Sequence, residues 1–459
     1  MMKKKDNVKE LLIKEMFSKF DITSPETIGV EIELPIIDIE QDCIKMSNIQ
    51  ELFKFLIDKQ GFYAEKKDNK GNVILVINKD NGDKISLEYS ENTIEISLKE
   101  DYDIYNIKSR FEQYIELIQN YLKKFNYILQ GKGINPNYKK ICRSCLDDDR
   151  YLIIEKILTS PNKNKSIYNE FCAYICSIQT HLTPGINELV DVINVFSCME
   201  WVKSILFSNS YMEEIDSNLA RDYLWETSNF GKRNTGTNII YKDLDELIDD
   251  YSKRKLHYIE RERKFYVIES QSLDTFFSKT KVLGRDINNN AKYFVPNADD
   301  IKSFRSYKNV EVTKRGTIEI RSDCTQDIDN IFEIIAFNVG IFEKYKEIYK
   351  LIKKYGFEND IIEKRKSKNT NPEIDENEKI FINEVINLIY EGLICRGKKE
   401  ENLLKKVNEM RLKNEKSRTL VLWEWCWYSH QKTTSWKATK KRIWSICLFW
   451  YARLLFKKW

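Results

Sequence analysis

Three short segments of this 459-residue chain alternate acidic and apolar residues. They are GVEIEL at 29–34, TIEISL at 93–98 and GTIEIR at 316–321. Because a β-strand points successive side chains to opposite faces, each segment predicts a strand with one apolar and one polar face. A fifth acid, Glu88, follows Leu87. The polar faces therefore carry Glu31, Glu33, Glu88, Glu95, Glu319 and Arg321.

Several carboxylates on one sheet face repel each other unless something neutralises them. Hard divalent cations accept carboxylate oxygens, and Mg²⁺ is commonly held by a few carboxylates together with substrate phosphates. The pattern is therefore typical of a Mg²⁺ site that binds a nucleotide. An ordinary solvent-facing sheet gives the same alternation, and periodicity alone leaves both interpretations open.

Short connections predict that the strands pair in an antiparallel sheet. Residues 73–77 and 84–89 flank the tight-turn pair Asn81-Gly82, and residues 93–98 follow after three residues. Such connections are too short for helical crossovers. Further strands are expected at 172–182 and, as a pair, at 309–321.

Apolar residues at helical spacing predict five long helices, at 47–59, 104–127, 188–207, 329–355 and 376–394. Ser47 is expected to cap the first helix and Gly61 to end it. Residues 364–375 are polar and predict a surface loop. The fold class is therefore α+β, with helices on one face of a large antiparallel sheet and the active site on its polar face.

The composition predicts a folded protein and does not indicate nucleic-acid binding. Hydrophobic residues make up 42% of the chain, which is enough for a large core. Residues 1–424 are mildly acidic, which does not favour nucleic acid as a partner. The first residues lack an apolar signal core, and no run of about 20 apolar residues predicts a membrane span, so the cytoplasm is expected. No glycine-rich phosphate loop is present, which argues against a P-loop or Rossmann enzyme.

The cysteines have no framework spacing. Cys142 and Cys145 form one C-x-x-C pair, but no second pair at zinc-site spacing accompanies it. The ten cysteines are therefore interpreted as free thiols in a reducing cytosol.

The end of the chain differs from the rest in composition. From Trp425 to Trp459 there are eight Lys or Arg residues and no Asp or Glu. We interpret residues 1–413 as the catalytic domain and 414–459 as a basic, Trp-rich tail. The tail is either a product of a reading-frame shift, a segment that lies on a membrane surface or a partner, or an ordinary helix.

Taken in chain order, the motifs resemble the glutamate–cysteine ligases, in their plant-type and actinobacterial branch. This family belongs to the glutamine-synthetase-like carboxylate–amine ligases. The resemblance rests on GVEIE at 29–33, LE at 87–88, SIQTH at 177–181, RDYLW at 221–225 with Arg233, TIEIR at 317–321, and EGL, RG and Glu400 near the end. Together these motifs span residues 27–404.

The resemblance implies an ATP- and Mg²⁺-dependent, ADP-forming ligase that joins the γ-carboxylate of glutamate to the amine of cysteine through an acyl phosphate. The implied metal ligands are Glu31, Glu33, Glu88, Glu95, His181 and Glu319. The implied catalytic residues are Glu31, Glu319 and Arg321, with Arg315 and Arg321 on ATP. The implied substrate-binding residues are Gln179, Arg221, Trp225 and Arg233. The alternatives are a ligase with another amine acceptor and a non-catalytic binding protein derived from a ligase.

Overall fold

The computed structural model describes residues 8–21, 27–160, 167–359, 361–367 and 374–407. Contacts define one compact unit, Met1–Leu404, to which the following description applies, and a second, Lys405–Trp459. The predicted domain boundary after residue 413 and the predicted tail lie outside the described residues and stay predictions.

The described chain contains fifteen strands in three sheets. They are β1 (Ile28–Asp38), β2 (Phe62–Lys67), β3 (Val73–Asn78), β4 (Lys84–Leu87), β5 (Thr93–Asp101), β6 (Tyr127–Leu129), β7 (Ser177–Leu182), β8 (Thr235–Gly236), β9 (Lys255–Arg261), β10 (Lys264–Ser272), β11 (Val282–Arg285), β12 (Ala291–Phe294), β13 (Tyr307–Lys308), β14 (Val310–Val312) and β15 (Ile318–Cys324).

The largest sheet has nine strands in the order β14-β15-β7-β1-β5-β4-β3-β2, with β6 also paired to β1. Every pairing in it is antiparallel. Strands β9 to β12 form a separate antiparallel sheet, while β8 and β13 form a short parallel pair. The four-stranded sheet was not predicted from the sequence.

The helices lie mainly on one face of the large sheet, as the α+β prediction requires. They are α1 (Val8–Leu12), α2 (Met46–Lys59), α3 (Ile104–Leu122), α4 (Asp149–Thr159), α5 (Leu189–Phe207), α6 (Ala220–Thr227), α7 (Leu244–Lys253), α8 (Leu273–Ser278), α9 (Ile331–Glu343), α10 (Tyr345–Tyr355), α11 (Ile361–Ser367) and α12 (Glu376–Cys395). Helices α2, α3, α5 and α9 pack directly on its strands.

The core lies between these helices and the apolar face of the sheet. The residues that the alternation assigned to this face are all fully buried; they are Ile32, Leu34, Ile94, Ile96, Ile318 and Ile320. Each buried aliphatic side chain stabilises the fold by about 1.5–3 kcal/mol relative to its exposed state. This burial fixes the strand register, because a one-residue slip would bring the glutamates into the core.

Several predicted boundaries were wrong for local reasons. The first helix begins at Met46 after Lys45, so Ser47 is not its cap. Helix α3 ends at Leu122, because Asn126 adopts a left-handed conformation with φ of 61° and the chain then enters β6. The predicted helix at 329–355 is interrupted at Lys344 into α9 and α10.

Two other predictions concern the whole chain. The eight cysteines in the described residues are all free thiols. Within these residues, no helix combines the length and the apolar character that crossing a membrane requires.

Part of the predicted 364–375 loop belongs to α11, and residues 368–373 lie outside the described ranges.

Candidate active site

The centre of the candidate site is the middle of β1, where two glutamates face away from the core. The residue opposite Glu31 is Gln179 on β7 and Ser97 on β5, while Glu33 lies opposite Glu95 on β5. Directly paired residues project from the same face of an antiparallel sheet. The register therefore gathers carboxylates from strands far apart in the sequence.

Three side chains converge most closely. One ligand atom each of Glu31, His181 and Glu319 lies within 4.8 Å of the others. His181 stands between the two glutamate strands, because it is paired with Glu319 on one side and with Gly29 on the other. A Cβ atom on Gly29 would lie 3.2 Å from the His181 Cβ, so a glycine leaves room for the imidazole.

The donor set fits a divalent cation. The Nε2 atom of His181 is buried and its nearest polar contact is the Glu31 Oε1 atom at 3.3 Å, with no well-aligned hydrogen bond to any described residue. Such an orphaned nitrogen beside two carboxylates is a suitable ligand for Mg²⁺ or Mn²⁺, with substrate oxygens completing the coordination. Glu31, His181 and Glu319 are therefore the residues that would hold the metal.

A hairpin tip brings Arg315 to the same ligands. Its Nη2 atom lies 3.5 Å from Glu31 Oε1 and 3.4 Å from His181 Nδ1. Gly316 makes this tip possible with a φ of +83°, and a Cβ there would lie 2.8 Å from the Lys19 carbonyl oxygen. The Arg315 side chain is 63% exposed, so its guanidinium can move to meet an incoming anion.

A second group of contacts links β1 to Arg321. Gln179 donates from Nε2 to Glu33 at 2.9 Å and accepts from the Arg321 guanidinium at 3.0 Å. Arg321 also pairs with Glu319. The Ser177 backbone N–H donates to the other Glu33 oxygen at 2.7 Å. Gln179 therefore positions a carboxylate and a guanidinium side by side.

The opposite end of the site contains Glu88, just after β4. Tyr151, in the first turn of α4, donates its hydroxyl to Glu88 at 3.1 Å. On β5, Ser97 donates to Glu95 at 2.6 Å. Neither Arg150 nor Tyr151 was predicted to be functional, because α4 itself was not predicted. Asp148 caps this helix, and an Asp at this position is the feature of the sequence that could have predicted its start.

The carboxyl groups differ in their affinity for protons. Burial alone would raise the pKa of Glu31, but His181 and the nearby arginines outweigh burial and bring this pKa to about 2. Burial and the charge of Glu88 raise the pKa of Glu33 to about 7. Burial also raises the pKa of Glu88, although Arg150 and Tyr151 act to lower it. Burial and three neighbouring glutamates raise the pKa of Glu95 well above its usual range. A proton is thus retained where negative charges crowd.

The predicted substrate-binding residues divide into two groups. Arg221 is 4% exposed, its Nε atom has no hydrogen-bond partner in the described chain, and its charge lowers the pKa of Glu33. Trp225 stacks on Tyr307 at 4.7 Å, and the Arg321 guanidinium lies 5.8 Å from the same tyrosine ring. These two residues therefore lie beside the carboxylate face.

Arg233 is not brought to this face by any described contact. Its side chain is half exposed and its Nη1 atom pairs with Asp250 on α7 at 3.2 Å. This ion pair gives Arg233 a structural role, which is the alternative to the predicted role in substrate binding. The Cys142–Cys145 pair likewise belongs to no group of potential metal ligands in the described residues.

Comparisons with known proteins identify no family for this chain. No protein-family model and no curated protein matches it. Several solved structures resemble it, among them two of low identity. A bifunctional glutathione synthetase from Pasteurella multocida matches at 9% identity and a TM-score of 0.43, over 88% of this chain and 48% of that chain.

The second is a glutamate–cysteine ligase from Francisella tularensis in complex with AMP, at 12% identity and a TM-score of 0.43, over 86% of this chain and 82% of that chain. This chain spans about half the length of the first structure. At these identities and TM-scores, neither likeness assigns an activity to this chain.

Proposed function

We propose that this protein is an ATP- and Mg²⁺-dependent carboxylate–amine ligase that joins the γ-carboxylate of glutamate to the amine of cysteine. The observation that carries the proposal is the convergence of Glu31, His181 and Glu319 within 4.8 Å on one sheet face. Glu33, Glu88 and Glu95 extend this face. A carboxylate-rich face of this kind suits the metal-bound phosphates of ATP.

The reaction needs a group that neutralises the transferred phosphoryl group. A carboxylate is a poor acyl donor, because its charge repels nucleophiles and its oxygen leaves badly; phosphorylation supplies a leaving group. Bound divalent metal would supply charge neutralisation at the phosphates. Arg315 and Arg321 would add bidentate cationic contacts to the phosphate oxygens, since a guanidinium matches their geometry.

Other residues of the chain would hold the carboxylate substrate. Arg221 is buried with an unpaired Nε donor, which suits a substrate carboxylate. The stacked rings of Trp225 and Tyr307 would form an apolar wall that limits the size of the acceptor and excludes water. Gln179 would keep Arg321 oriented through its 3.0 Å contact. Phosphoryl transfer depends mostly on such positioning and on charge neutralisation.

Measurement of ADP release tests this proposal directly. The full chain is incubated with Mg²⁺ and ATP, with glutamate alone, and with glutamate plus each of a panel of amines that includes cysteine. We expect ADP release that requires glutamate and is stimulated most by cysteine. Stimulation by another amine and never by cysteine would contradict the cysteine assignment, and release independent of every carboxylate would contradict the ligase class.

A further inference from the structure

A cleft separate from the candidate active site lies between the end of α4 and the four-stranded sheet. Its volume is about 630 Å³, and its lining comes from α4, β10, β11 and the segment between α8 and β11. This volume is within the range of about 300–1,000 Å³ typical of small-molecule sites. The cleft contains none of the six proposed metal ligands.

The lining of the cleft carries a positive charge. Lys156, Lys279, Lys281 and Arg285 line it, and Glu269 is the one acidic residue among the described lining residues. Glu269 lies 3.7 Å from Lys279 and is 85% exposed, so this pair is weakly held.

The other cations of the lining differ in their contacts. Lys156 donates to the Asp286 carbonyl and to the Asn289 side chain, and Arg285 donates to the Asn289 carbonyl. Lys281 lies over the Tyr293 ring at 4.7 Å. Lys156 also interacts electrostatically with the Asp286 carboxylate. The partners given for Lys281 and Arg285 are neutral, so these two side chains supply the charge that favours an anion.

The floor of the cleft offers two further kinds of contact. Val267 is paired with Arg285, and Leu283 lies two residues before Arg285, so all three project from one sheet face. Gln271 is 9% exposed, and its Oε1 atom is buried without a hydrogen-bond partner in the described chain. A buried acceptor without a partner is unfavourable unless a ligand or water donates to it.

We propose that this cleft binds a nucleoside phosphate. The phosphate would lie among Lys279, Lys281 and Arg285, the base would pack on Val267 and Leu283, and an amine or hydroxyl of the nucleoside would donate to Gln271 Oε1. A phosphate carries a charge of about −1.5 to −2, which matches this lining better than a single carboxylate does. The proposal goes beyond the ligase activity and does not depend on it.

Calorimetric titration of the full chain with AMP in the presence of EDTA tests the proposal. Without a divalent metal the glutamate face repels a phosphate, whereas the lysine-lined cleft attracts it. We expect saturable binding of AMP that weakens at least tenfold in the double variant K281E/R285E. Lys59→Glu on α2 is the matched control for a charge reversal at an exposed lysine, and we expect it to leave the affinity unchanged.

Two more variants identify the contacts. Gln271→Met removes the unpaired acceptor at similar size, and we expect it to weaken AMP several-fold while leaving the affinity for inorganic pyrophosphate unchanged. Glu319→Gln should retain AMP binding in EDTA. The proposal is overturned by wild type that binds no AMP, by equal AMP affinity in K281E/R285E and wild type, by an unaffected Gln271→Met, or by loss of binding in Glu319→Gln.

Discussion

At the scale of single residues, the candidate site is defined by side chains whose polar atoms lack partners or share them. Glu319 contributes to the three-residue cluster and pairs with Arg321. Both the proposed metal site and the position of Arg321 therefore depend on it. His181 and Arg221 each present a buried nitrogen without a hydrogen-bond partner among the described residues. Buried polar atoms left unpaired in this way are typical of sites that a ligand completes.

The substitution Glu319→Gln should abolish turnover. It removes a metal ligand and the charge that holds Arg321, and the loss of one preorganised electrostatic contact costs about a hundredfold to a thousandfold in rate. The measurement is glutamate-dependent ADP release at saturating Mg²⁺ and ATP. Glu65→Gln, on an exposed part of strand β2, is the matched control and should keep normal activity; normal activity of Glu319→Gln would refute its role.

Glu33 predicts a particular dependence of stability on pH. Its pKa is about 7 in the folded chain, whereas an unfolded glutamate titrates near 4.5, so the folded chain binds more protons between these values. Stability without metal should therefore fall as the pH rises from 4.5 to 7, by on the order of 3 kcal/mol.

Urea unfolding in EDTA at several pH values checks this prediction. The variant Glu33→Gln cannot titrate at this position, so its free energy of unfolding should change less over the same range. Glu65→Gln again serves as the control and should follow the wild type. An identical pH dependence in wild type and Glu33→Gln would show that Glu33 titrates normally in the folded chain.

At the scale of elements, strand alternation positions the glutamates and the hairpin between β14 and β15 positions Arg315. The faces of Glu31, Glu95 and Glu319 were predictable, because a strand has a period of two and the apolar partners must be buried. The contact of Tyr151 with Glu88 was not predictable, since it joins residues 63 apart through a helix with no acidic-strand signal. The end of α3 was missed because a left-handed Asn126 gives no change in apolar spacing.

Gly316→Ala should impair the hairpin tip. The φ of +83° and the 2.8 Å approach of the Lys19 carbonyl both oppose a Cβ atom, so the tip must shift at a cost of about 1–3 kcal/mol. Displacement of Arg315 should raise the KM for ATP several-fold.

The matched control for this experiment is Gly356→Ala. Gly356 has a similar φ of +71°, with no atom within 4 Å of the added Cβ, and it ends α10 far along the chain from the hairpin. It should lose stability without any change in KM. Equal KM values for ATP in the two variants would contradict a role of the hairpin in ATP binding.

At the scale of the whole molecule, one α+β unit carries the entire proposed site. The nine-stranded sheet supplies five of the six predicted metal ligands and Glu88 follows directly after its strand β4, so all six lie within Met1–Leu404. Deletion of the residues after Asn414 should therefore leave ADP release within about twofold of the full chain. A loss of activity in a deletion variant that still unfolds cooperatively would assign the tail a catalytic role.

The most direct test of the proposed metal site is to measure the binding of Mn²⁺, which replaces Mg²⁺ and is observed by electron paramagnetic resonance. We expect wild type and Glu65→Gln to bind Mn²⁺ with the same affinity, and Glu31→Gln, His181→Ala and Glu319→Gln each to lose at least tenfold. Unchanged Mn²⁺ affinity in these three variants, with their folds intact, would contradict the claim that the three strands share a divalent metal.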